Sequence, residues 1–216
     1  MYQNVIFDLD GTLLNTLDDL ADAGNWVCRN QGWPEHSLDE YKYFVGNGMA
    51  KLVERFSPEE FRGQDQIKKT LAEFMPYYEA HKADKTAVYA GMPEMLDKLR
   101  KAGIHIAVLT NKADSVAGSV VEEYYPEVFS VVQGAVPEKP TKPDPTLLLE
   151  LMKRLGAGRE DTLFVGDSNV DIQTAKNGQL DSCGVLWGFR GRQELEEEEA
   201  TYLAQTPEEL AELILK

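Results

Sequence analysis

Side chains suited to chemistry on an anionic ligand fall in four short segments of the 216-residue chain. In the first, Asp8 and Asp10 are two residues apart, so on an extended strand both carboxylates leave on the same side. Gly11 follows them and allows the chain to curl both carboxylates toward one ligand. The other three segments are Thr110-Asn111-Lys112, Lys142-Pro143-Asp144-Pro145 and Gly166-Asp167-Ser168-Asn169-Val170-Asp171.

The carboxylates of this set indicate a bound cation. Asp8, Asp10 and Asp167 together concentrate negative charge, and the four segments contain no His or Cys. Ligands that are all oxygen favour magnesium over zinc or copper. The whole chain has a formal charge of -15 and repels an anionic substrate, so the metal and a lysine must supply local positive charge. The same acidity predicts no nucleic-acid partner and no anionic membrane partner.

Five short apolar runs predict the strands that position these segments. Each run is mostly apolar, as expected of strands covered on both faces, and the runs cover residues 5–9, 104–109, 129–132, 162–165 and 182–186. Helical stretches lie before the second run and between the later ones. This alternation predicts an α/β fold with a doubly wound parallel sheet of five core strands. Ligands bind beyond the carboxyl ends of such strands, where the four segments would meet.

A helical insertion interrupts this pattern after the first run, because the first two runs are much further apart than an ordinary crossover requires. Residues 16–19 have the form of a capping box for one amphipathic helix. A second amphipathic stretch, at 67–78, contains Pro76, which is expected to kink or divide the helix. We predict linkers near 12–15 and 84–91. The predicted domains are a small all-helical cap, residues 15–88, and a catalytic core, residues 1–14 and 89–216.

The four segments together resemble the motifs of the haloacid dehalogenase-like hydrolase superfamily. The resemblance covers essentially the whole chain, including a helical cap after the first strand. The second aspartate, at position 10, resembles the phosphatase branch and departs from the true dehalogenases. The resemblance implies a phosphatase that uses Mg²⁺ as its cofactor and acts on a small phosphorylated metabolite. Asp8 would be the nucleophile that forms an aspartyl-phosphate, and Asp10 would be the general acid for the leaving oxygen and then the base for water.

The resemblance also implies the groups that bind phosphate and metal. The Thr110 hydroxyl and the Asn111 backbone would hold phosphate oxygens, and Lys142 would neutralise the nucleophile and the transferred group. Lys139 also precedes a proline, but Lys142 is preferred because Lys-Pro-x-Pro followed by Leu-Leu-Leu resembles the family pattern. Magnesium would be held by Asp8, the Asp10 carbonyl and Asp167, with Asp171 supporting these ligands.

The predicted cap carries a signal for the substrate. Gly46-Asn47-Gly48 lies between two helical stretches, and Val-Gly-Asn-Gly at the start of a cap helix resembles phosphoglycolate phosphatases. Backbone N–H groups at a helix N-terminus suit a carboxylate or a second phosphate. Lys51 and Arg55 follow, and they either reinforce this site or lie on an exposed helix face. The expected substrate is 2-phosphoglycolate; the alternatives are a pyrophosphatase, a sugar-phosphate phosphatase or mutase, and a receiver-type phospho-accepting module.

The remaining signals concern the surroundings of the site. Arg190 and Arg192 follow the fifth run near the expected rim, where either could meet the substrate, and we prefer to interpret them as surface residues. Cys28 and Cys183 fit no disulfide or zinc pattern and are expected to be buried thiols. The sequence shows neither a leader pattern nor a membrane-spanning run, which predicts a cytoplasmic protein, and it is compatible with a monomer or a homodimer.

Overall fold

The structure is a computed structural model and describes residues 2–216. Its strands, in chain order, are β1 (Asn4–Phe7), β2 (Leu14–Asn15), β3 (Ala87–Val88), β4 (His105–Ala113), β5 (Val131–Ala135), β6 (Thr162–Gly166), β7 (Asp181–Val185) and β8 (Tyr202–Ala204). Its α-helices are α1 (Leu17–Gln31), α2 (Leu38–Phe44), α3 (Met49–Phe56), α4 (Gln64–His81), α5 (Met92–Lys101), α6 (Asp114–Tyr124), α7 (Thr146–Leu155), α8 (Asn169–Gly178), α9 (Arg192–Glu197) and α10 (Pro207–Leu215). A short 3-10 helix covers Glu59–Phe61.

A parallel sheet of six strands forms the centre of the molecule. The strand order is β5-β4-β1-β6-β7-β8, and each neighbouring pair is parallel. β1 lies between β4 and β6, and all four of its residues are buried. Successive side chains of a strand point to opposite faces, so Val5 and Phe7 enter one apolar core while Ile6 enters the other. The predicted doubly wound α/β fold is therefore confirmed.

The sheet has one strand more than the five that the apolar runs predict. β8 has three residues, and its first, Tyr202, is exposed, so its sequence carries no apolar run. It extends the sheet by pairing with the outer edge of β7. The third predicted strand is also displaced, because β5 begins at Val131 whereas Phe129 precedes it and packs edge-on against Phe7 in the core.

Four α-helices, α1 to α4, lie between β2 and β3, as the predicted insertion requires. We call α1 to α4 the helical insertion. β2 and β3 pair antiparallel, with Leu14 opposite Val88, so the chain leaves the sheet and returns to it at one place. The two predicted linker segments, near 12–15 and 84–91, contain this pair of short strands, which satisfy each other's backbone groups. The domain boundaries at residues 15 and 88 stay a prediction.

The longest helix, α4, has 18 residues and contains Pro76. A proline removes one backbone hydrogen bond, yet α4 continues through Pro76, so the predicted division of the helix does not occur. Its buried side chains, Thr70, Phe74 and Tyr78, are four residues apart and share one face. Among residues 2–216, no helix combines the length and the apolar character that crossing a membrane requires.

Residues 16–19 act differently from the predicted capping box. The Thr16 hydroxyl donates a hydrogen bond to Asp10 Oδ1 at 2.8 Å and caps no backbone group of α1. Asp19 is buried, and its carboxylate accepts hydrogen bonds from the backbone N–H groups of Lys85 and Thr86 and from the Thr86 hydroxyl, at 2.7 to 2.9 Å. Hydrogen bonds to distant residues thus replace those of the predicted capping box. They connect the start of α1 to Lys85 and Thr86, where the chain returns from the insertion.

Candidate active site

The carboxyl ends of β1, β4 and β6 bring the four segments together. Asp8 directly follows β1, the Thr110-Asn111 pair lies in β4, and Asp167 directly follows β6. Lys142 comes from the loop before α7, and its Nζ donates hydrogen bonds to Asp8 Oδ1 and Asp171 Oδ1, each at 2.7 Å. The strand order changes direction at β1, and such a switch point forms a crevice in which parallel sheets bind ligands.

Three buried carboxylates share the centre of this site. Oxygen atoms of Asp8, Asp167 and Asp171 lie within 4.8 Å of one another. Burial raises the pKa of Asp8 to about 7, against the opposing effect of Lys142 and with a further contribution from Asp171. Burial also raises the pKa of Asp167 to about 8, and repulsion by Asp171 and Asp8 adds to the effect. Asp8 and Asp167 therefore hold protons more tightly than carboxyl groups in water do, chiefly because they are buried together.

Lys142 is the cation at the centre of the cluster. Burial by itself lowers the pKa of Lys142, but Asp171 and Asp8 outweigh this effect, so the pKa is raised and the side chain is charged. Lys139, the alternative in the sequence, lies on the surface and pairs with Glu150. The structure thus brings Lys142 into the cluster and leaves Lys139 outside it.

Asp10 faces the same cavity but has its own partners. Lys112 Nζ donates to both of its carboxylate oxygens, at 2.8 and 3.1 Å, and Thr16 donates to one of them. The Lys112 side chain is 0% exposed, and its Nζ lies 5.0 Å from the centre of the Tyr78 ring. The sequence analysis gave Lys112 no role. A lysine within a strand that is otherwise buried was the available signal, because such a charge needs a carboxylate partner.

Asp167 is held in place by groups that the sequence analysis also missed. The backbone N–H of Phe189 donates to its Oδ2 at 2.7 Å, and the Thr12 hydroxyl lies 3.3 Å from Oδ1. Two glycines pack directly against it. A methyl group at Gly188 would lie 2.6 Å from an Asp167 oxygen, and one at Gly11 would lie 2.9 Å from the other oxygen. The loop after β7 therefore fixes the position of this carboxylate.

A divalent metal ion fits this set of residues. The candidate ligands are all oxygen atoms, which Mg²⁺ prefers. Both oxygens of Asp171 already accept hydrogen bonds, from Lys142 and Ser168, which suits a supporting role. Within residues 2–216, Asp8 accepts one hydrogen bond, at Oδ1, so its carboxylate keeps further lone pairs for a metal ion. When all of them are ionised, the four carboxylates and two ammonium groups of the site sum to two negative charges, which one dication balances; these groups are Asp8, Asp10, Asp167, Asp171, Lys112 and Lys142.

Asn111 connects three parts of the site through its side chain. Its Nδ2 donates to the carbonyl oxygens of Gly46 and Lys142, each at 3.0 Å, and its Oδ1 accepts a hydrogen bond from the Lys142 backbone N–H at 2.8 Å. Thr110 is buried beside it, and its hydroxyl accepts a hydrogen bond from the Lys112 backbone N–H. Asn111 thus supports the loop that carries Lys142 and also contacts the loop that precedes α3.

The Gly46-Asn47-Gly48 loop lies over this edge of the sheet. Gly46 and Gly48 have φ values of 121° and 85°, which favour glycine, and Gly48 directly precedes α3. Arg55 donates to the Asn47 side chain at 2.8 Å and to the carbonyl oxygens of residues 43 and 44. Its donors therefore support the loop. Lys51 pairs with Glu54 on the exposed face of α3.

Arg190 is buried, so its interpretation as a surface residue is wrong. Its guanidinium donates to the Val45 carbonyl oxygen at 2.9 Å and lies 5.1 Å from the centre of the Tyr43 ring. Glu194, four residues later, forms an ion pair with Arg190, in which Nε and Oε1 are 3.3 Å apart. Arg192 is exposed, as expected. Arg190 thus links the loop after β7 to the loop that precedes α3.

A narrow cavity separates the sheet from the helical insertion. The space open to the centre of a water-sized molecule is about 30 Å³. The sheet contributes a polar wall, which includes Asp8, Asp10 and Thr110. The insertion contributes a largely apolar wall, which includes Val45, Met49 and Leu52. A ligand on Asp8 would therefore be enclosed by the insertion.

Comparisons with known proteins agree with this architecture. The sequence matches the haloacid dehalogenase-like hydrolase family over residues 5–185. Phosphoglycolate phosphatase of Pseudomonas putida is 35% identical over 192 residues, which cover 86% of this chain and 70% of that protein. Phosphoglycolate phosphatase of Psychrobacter arcticus is 31% identical over 221 residues, which cover 99% and 96%.

A solved structure extends the similarity to three dimensions. It is a crystal structure from Lactobacillus delbrueckii subsp. bulgaricus, of a protein provisionally named phosphoglycolate phosphatase. The two structures superpose with a TM-score of 0.93 at 32% sequence identity, covering 99% of this chain and 98% of that one. The matches span the sheet and the helical insertion together and confirm the expectation of a hydrolytic enzyme of the phosphatase type. This chain belongs to the haloacid dehalogenase-like hydrolase family.

Proposed function

We propose that the protein is a magnesium-dependent phosphatase that moves the phosphoryl group of a small metabolite onto Asp8 and then to water. One observation carries this proposal. Carboxylates of Asp8, Asp167 and Asp171 meet the Lys142 ammonium in a buried cluster, although they come from separate segments of the chain. Burying several like charges together is unfavourable, and functional sites are where proteins maintain such arrangements.

Asp8 is the proposed nucleophile. Lys142 holds its Oδ1, which directs the open Oδ2 toward the phosphorus atom. Attack by Oδ2 forms the new O–P bond as the bond to the leaving oxygen breaks, and Asp8 becomes an aspartyl-phosphate. Lys142 and the Thr110 hydroxyl neutralise and hold the phosphoryl oxygens during this transfer.

Asp10 moves the protons of both steps. It gives a proton to the leaving oxygen as that bond breaks, and it then takes a proton from the water that attacks the aspartyl-phosphate. This attack releases inorganic phosphate and restores the Asp8 carboxylate. Asp10 lines the same cavity as Asp8 and so has access to both the leaving group and the water.

Mg²⁺ would be held by Asp8, Asp167 and the Asp10 carbonyl oxygen, and when bound it supplies positive charge opposite the phosphoryl oxygens. A ligand that binds the native state and not the unfolded state stabilises a protein by about 2.7 kcal/mol when its concentration is one hundred times Kd. MgCl₂ should therefore raise the Tm of the wild-type protein. Asp167→Asn should fold and lose most of this rise, whereas an equal rise in both proteins would contradict the assigned metal site.

The proposed substrate is 2-phosphoglycolate. Relatives that align along the chain bear that activity in their names, and the narrow cavity favours a small leaving group over a hexose. The backbone N–H groups at the start of α3, after Gly46 and Gly48, suit the carboxylate of such a substrate. Pyrophosphatase and sugar-phosphate phosphatase or mutase activities remain the alternatives within the family. The monomeric or homodimeric state and the cytoplasmic location stay predictions.

A substrate panel tests the proposal. We expect hydrolysis of 2-phosphoglycolate to exceed that of pyrophosphate and hexose phosphates, and to require MgCl₂. Asp8→Asn should keep the fold and lose the activity. Substantial Mg²⁺-dependent turnover by pure Asp8→Asn would refute the nucleophile. A flat substrate profile would remove the phosphoglycolate assignment and keep the phosphatase. A stable phosphorylated wild-type protein with slow turnover would favour the receiver-type alternative.

A further inference from the structure

Lys112 is a buried lysine to which the proposed mechanism assigns no step. It lies in β4, two residues after Thr110, and its side chain is 0% exposed. Removing an ammonium group from water is strongly unfavourable unless an opposite charge meets it. Among residues 2–216, its ion-pair partner is Asp10, and Nζ contacts both carboxylate oxygens, at 2.8 and 3.1 Å. The lysine is therefore placed to act on Asp10.

The Asp10 carboxylate is held from two directions. Lys112 reaches it from β4, and the Thr16 hydroxyl reaches its Oδ1 from the start of the helical insertion, at 2.8 Å. A carboxylate that has one partner still turns about its last side-chain bond, which has broad rotational wells. Contacts from two elements to the same group restrict that rotation. The Asp10 side chain, 11% exposed, keeps its remaining open surface toward the cavity that it shares with Asp8.

A tyrosine of the helical insertion packs against the Lys112 ammonium. The Tyr78 ring of α4 has its centre 5.0 Å from Lys112 Nζ, a distance at which an ammonium is attracted to the ring face. Tyr78 is fully buried, and its side chain lies beside the Lys112 ammonium. Tyr78 belongs to the insertion, whereas Lys112 and Asp10 belong to the sheet side. One ammonium group thus joins the insertion to the proton-transferring carboxylate.

We propose that Lys112 is a positioning residue that aims the Asp10 carboxylate, and that it does so fully only while Tyr78 of α4 covers its ammonium. Closing of the insertion and placement of Asp10 are then one event. Movement of α4 away from the sheet would admit water to the ammonium, and water weakens an ion pair by screening it. This inference rests on the proposed function, in which Asp10 gives and takes the protons.

Two substrates with different leaving groups test it. 2-Phosphoglycolate needs a proton on its leaving oxygen, whereas 4-nitrophenyl phosphate releases a phenolate that leaves without one. In Lys112→Met we expect kcat for 2-phosphoglycolate to fall about 10²-fold, the usual contribution of general acid–base catalysis, with KM within about threefold of wild type. With 4-nitrophenyl phosphate we expect a burst of nitrophenolate equal to the enzyme concentration and then slow turnover, because Asp8 is phosphorylated normally and its hydrolysis lacks a placed base.

Three further variants complete the test. Lys112→Arg keeps a positive charge and should recover at least about tenfold of the lost kcat, since a guanidinium can also hold a carboxylate. Tyr78→Leu removes the ring and leaves the ion pair, so it should lower kcat by only about tenfold at unchanged KM, less than the 10²-fold or more that complete loss of acid–base catalysis costs. Lys139→Met is the matched control, because this lysine lies on the surface beside Glu150, and it should leave both kinetic constants unchanged.

Three results would overturn the inference. A wild-type kcat in folded Lys112→Met shows that Lys112 is only structural, and a raised KM at unchanged kcat shows that it binds substrate. If circular dichroism shows that Lys112→Met does not fold, Tyr78→Leu decides, and an unchanged kcat overturns the inference. The proposed function fails differently, through a wild-type protein without phosphatase activity or an active Asp8→Asn. If the wild type is active and Asp10→Asn is inactive, but the Lys112 and Tyr78 variants match the wild type, the proposed function stands and only the inference about Lys112 fails.

Discussion

The loop after β7 leads to a sharp prediction about Asp167. Gly188 lies in that loop, and a methyl group on it would lie 2.6 Å from both Gly11 O and an Asp167 carboxylate oxygen. Ordinary contacts of this kind begin at 3.4 Å. Gly188→Ala therefore forces these groups apart by about 1 Å, and a misplacement of that size in an active site lowers the rate about 10²-fold. We expect kcat/KM for 2-phosphoglycolate to fall by this factor.

The assay is a set of kcat/KM measurements across a MgCl₂ titration. If Asp167 holds the metal, Gly188→Ala should also need more MgCl₂ for half of its maximal rate. Gly191→Ala is the matched control, because this glycine lies in the same loop, has an ordinary extended backbone and has no atom within 4 Å of an added methyl group. The control should keep wild-type kinetics.

The reasoning is refuted if folded Gly188→Ala keeps a kcat/KM within about threefold of the control at every MgCl₂ concentration, since a 1 Å displacement of a working ligand does not leave the rate intact. Thermal unfolding of both variants shows whether the fold is kept. Overpacking a tight site usually costs about 1 to 3 kcal/mol of stability. A loss of activity with no greater loss of stability than this places the effect at Asp167.

Three further predictions concern stability and reactivity. In metal-free protein, Asp167 keeps a proton up to a pKa of about 8 and Asp8 keeps one up to a pKa of about 7, whereas the unfolded chain releases both near 3.8, so the free energy of unfolding should fall as the pH rises through this range; urea titrations of Asp167→Asn should show a smaller fall than those of the wild type. Asp19→Ala leaves the buried Thr86 N–H and hydroxyl without their acceptor and should lower the free energy of unfolding by about 3 kcal/mol in urea, whereas a loss below about 1 kcal/mol would contradict the role of Asp19 in holding the returning chain. Burial raises the pKa of Cys28 to about 11 and of Cys183 to about 12. A chromogenic disulfide reagent at about pH 8 should therefore label neither thiol in the native protein and both thiols in urea. Rapid labelling of the native protein would contradict this prediction and show that the core opens.

The positions of the candidate site segments were predictable from strand ends. Asp8 lies near the end of the first apolar run, and Thr110-Asn111 and Asp167 come after the runs at 104–109 and 162–165. Parallel strands present their carboxyl ends at one edge, so the type of fold implies that these residues converge. The preference for Lys142 over Lys139 came from the resemblance to the family, and the structure places Lys142 in the carboxylate cluster.

Other features were beyond sequence reasoning for specific physical reasons. β8 is too short for a periodic pattern. Asp19 has the residue type and spacing of a local cap, but the backbone of Lys85 and Thr86 offers it stronger partners more than sixty residues away. Arg190 looks like any loop arginine, yet the Val45 carbonyl oxygen, 145 positions earlier, accepts its hydrogen bond and buries it.

Local patterns in the sequence establish the order of strands and helices, the site of the insertion and the side chains that end each strand, because hydrophobic period and turn residues act over a few positions. Packing in three dimensions establishes which of those side chains meet. Lys112 forms an ion pair with Asp10, which is 102 positions away in the sequence, and Lys142 forms ion pairs with both Asp8 and Asp171. Such pairings depend on how distant elements pack and on the removal of charges from water, and no local period encodes either of them.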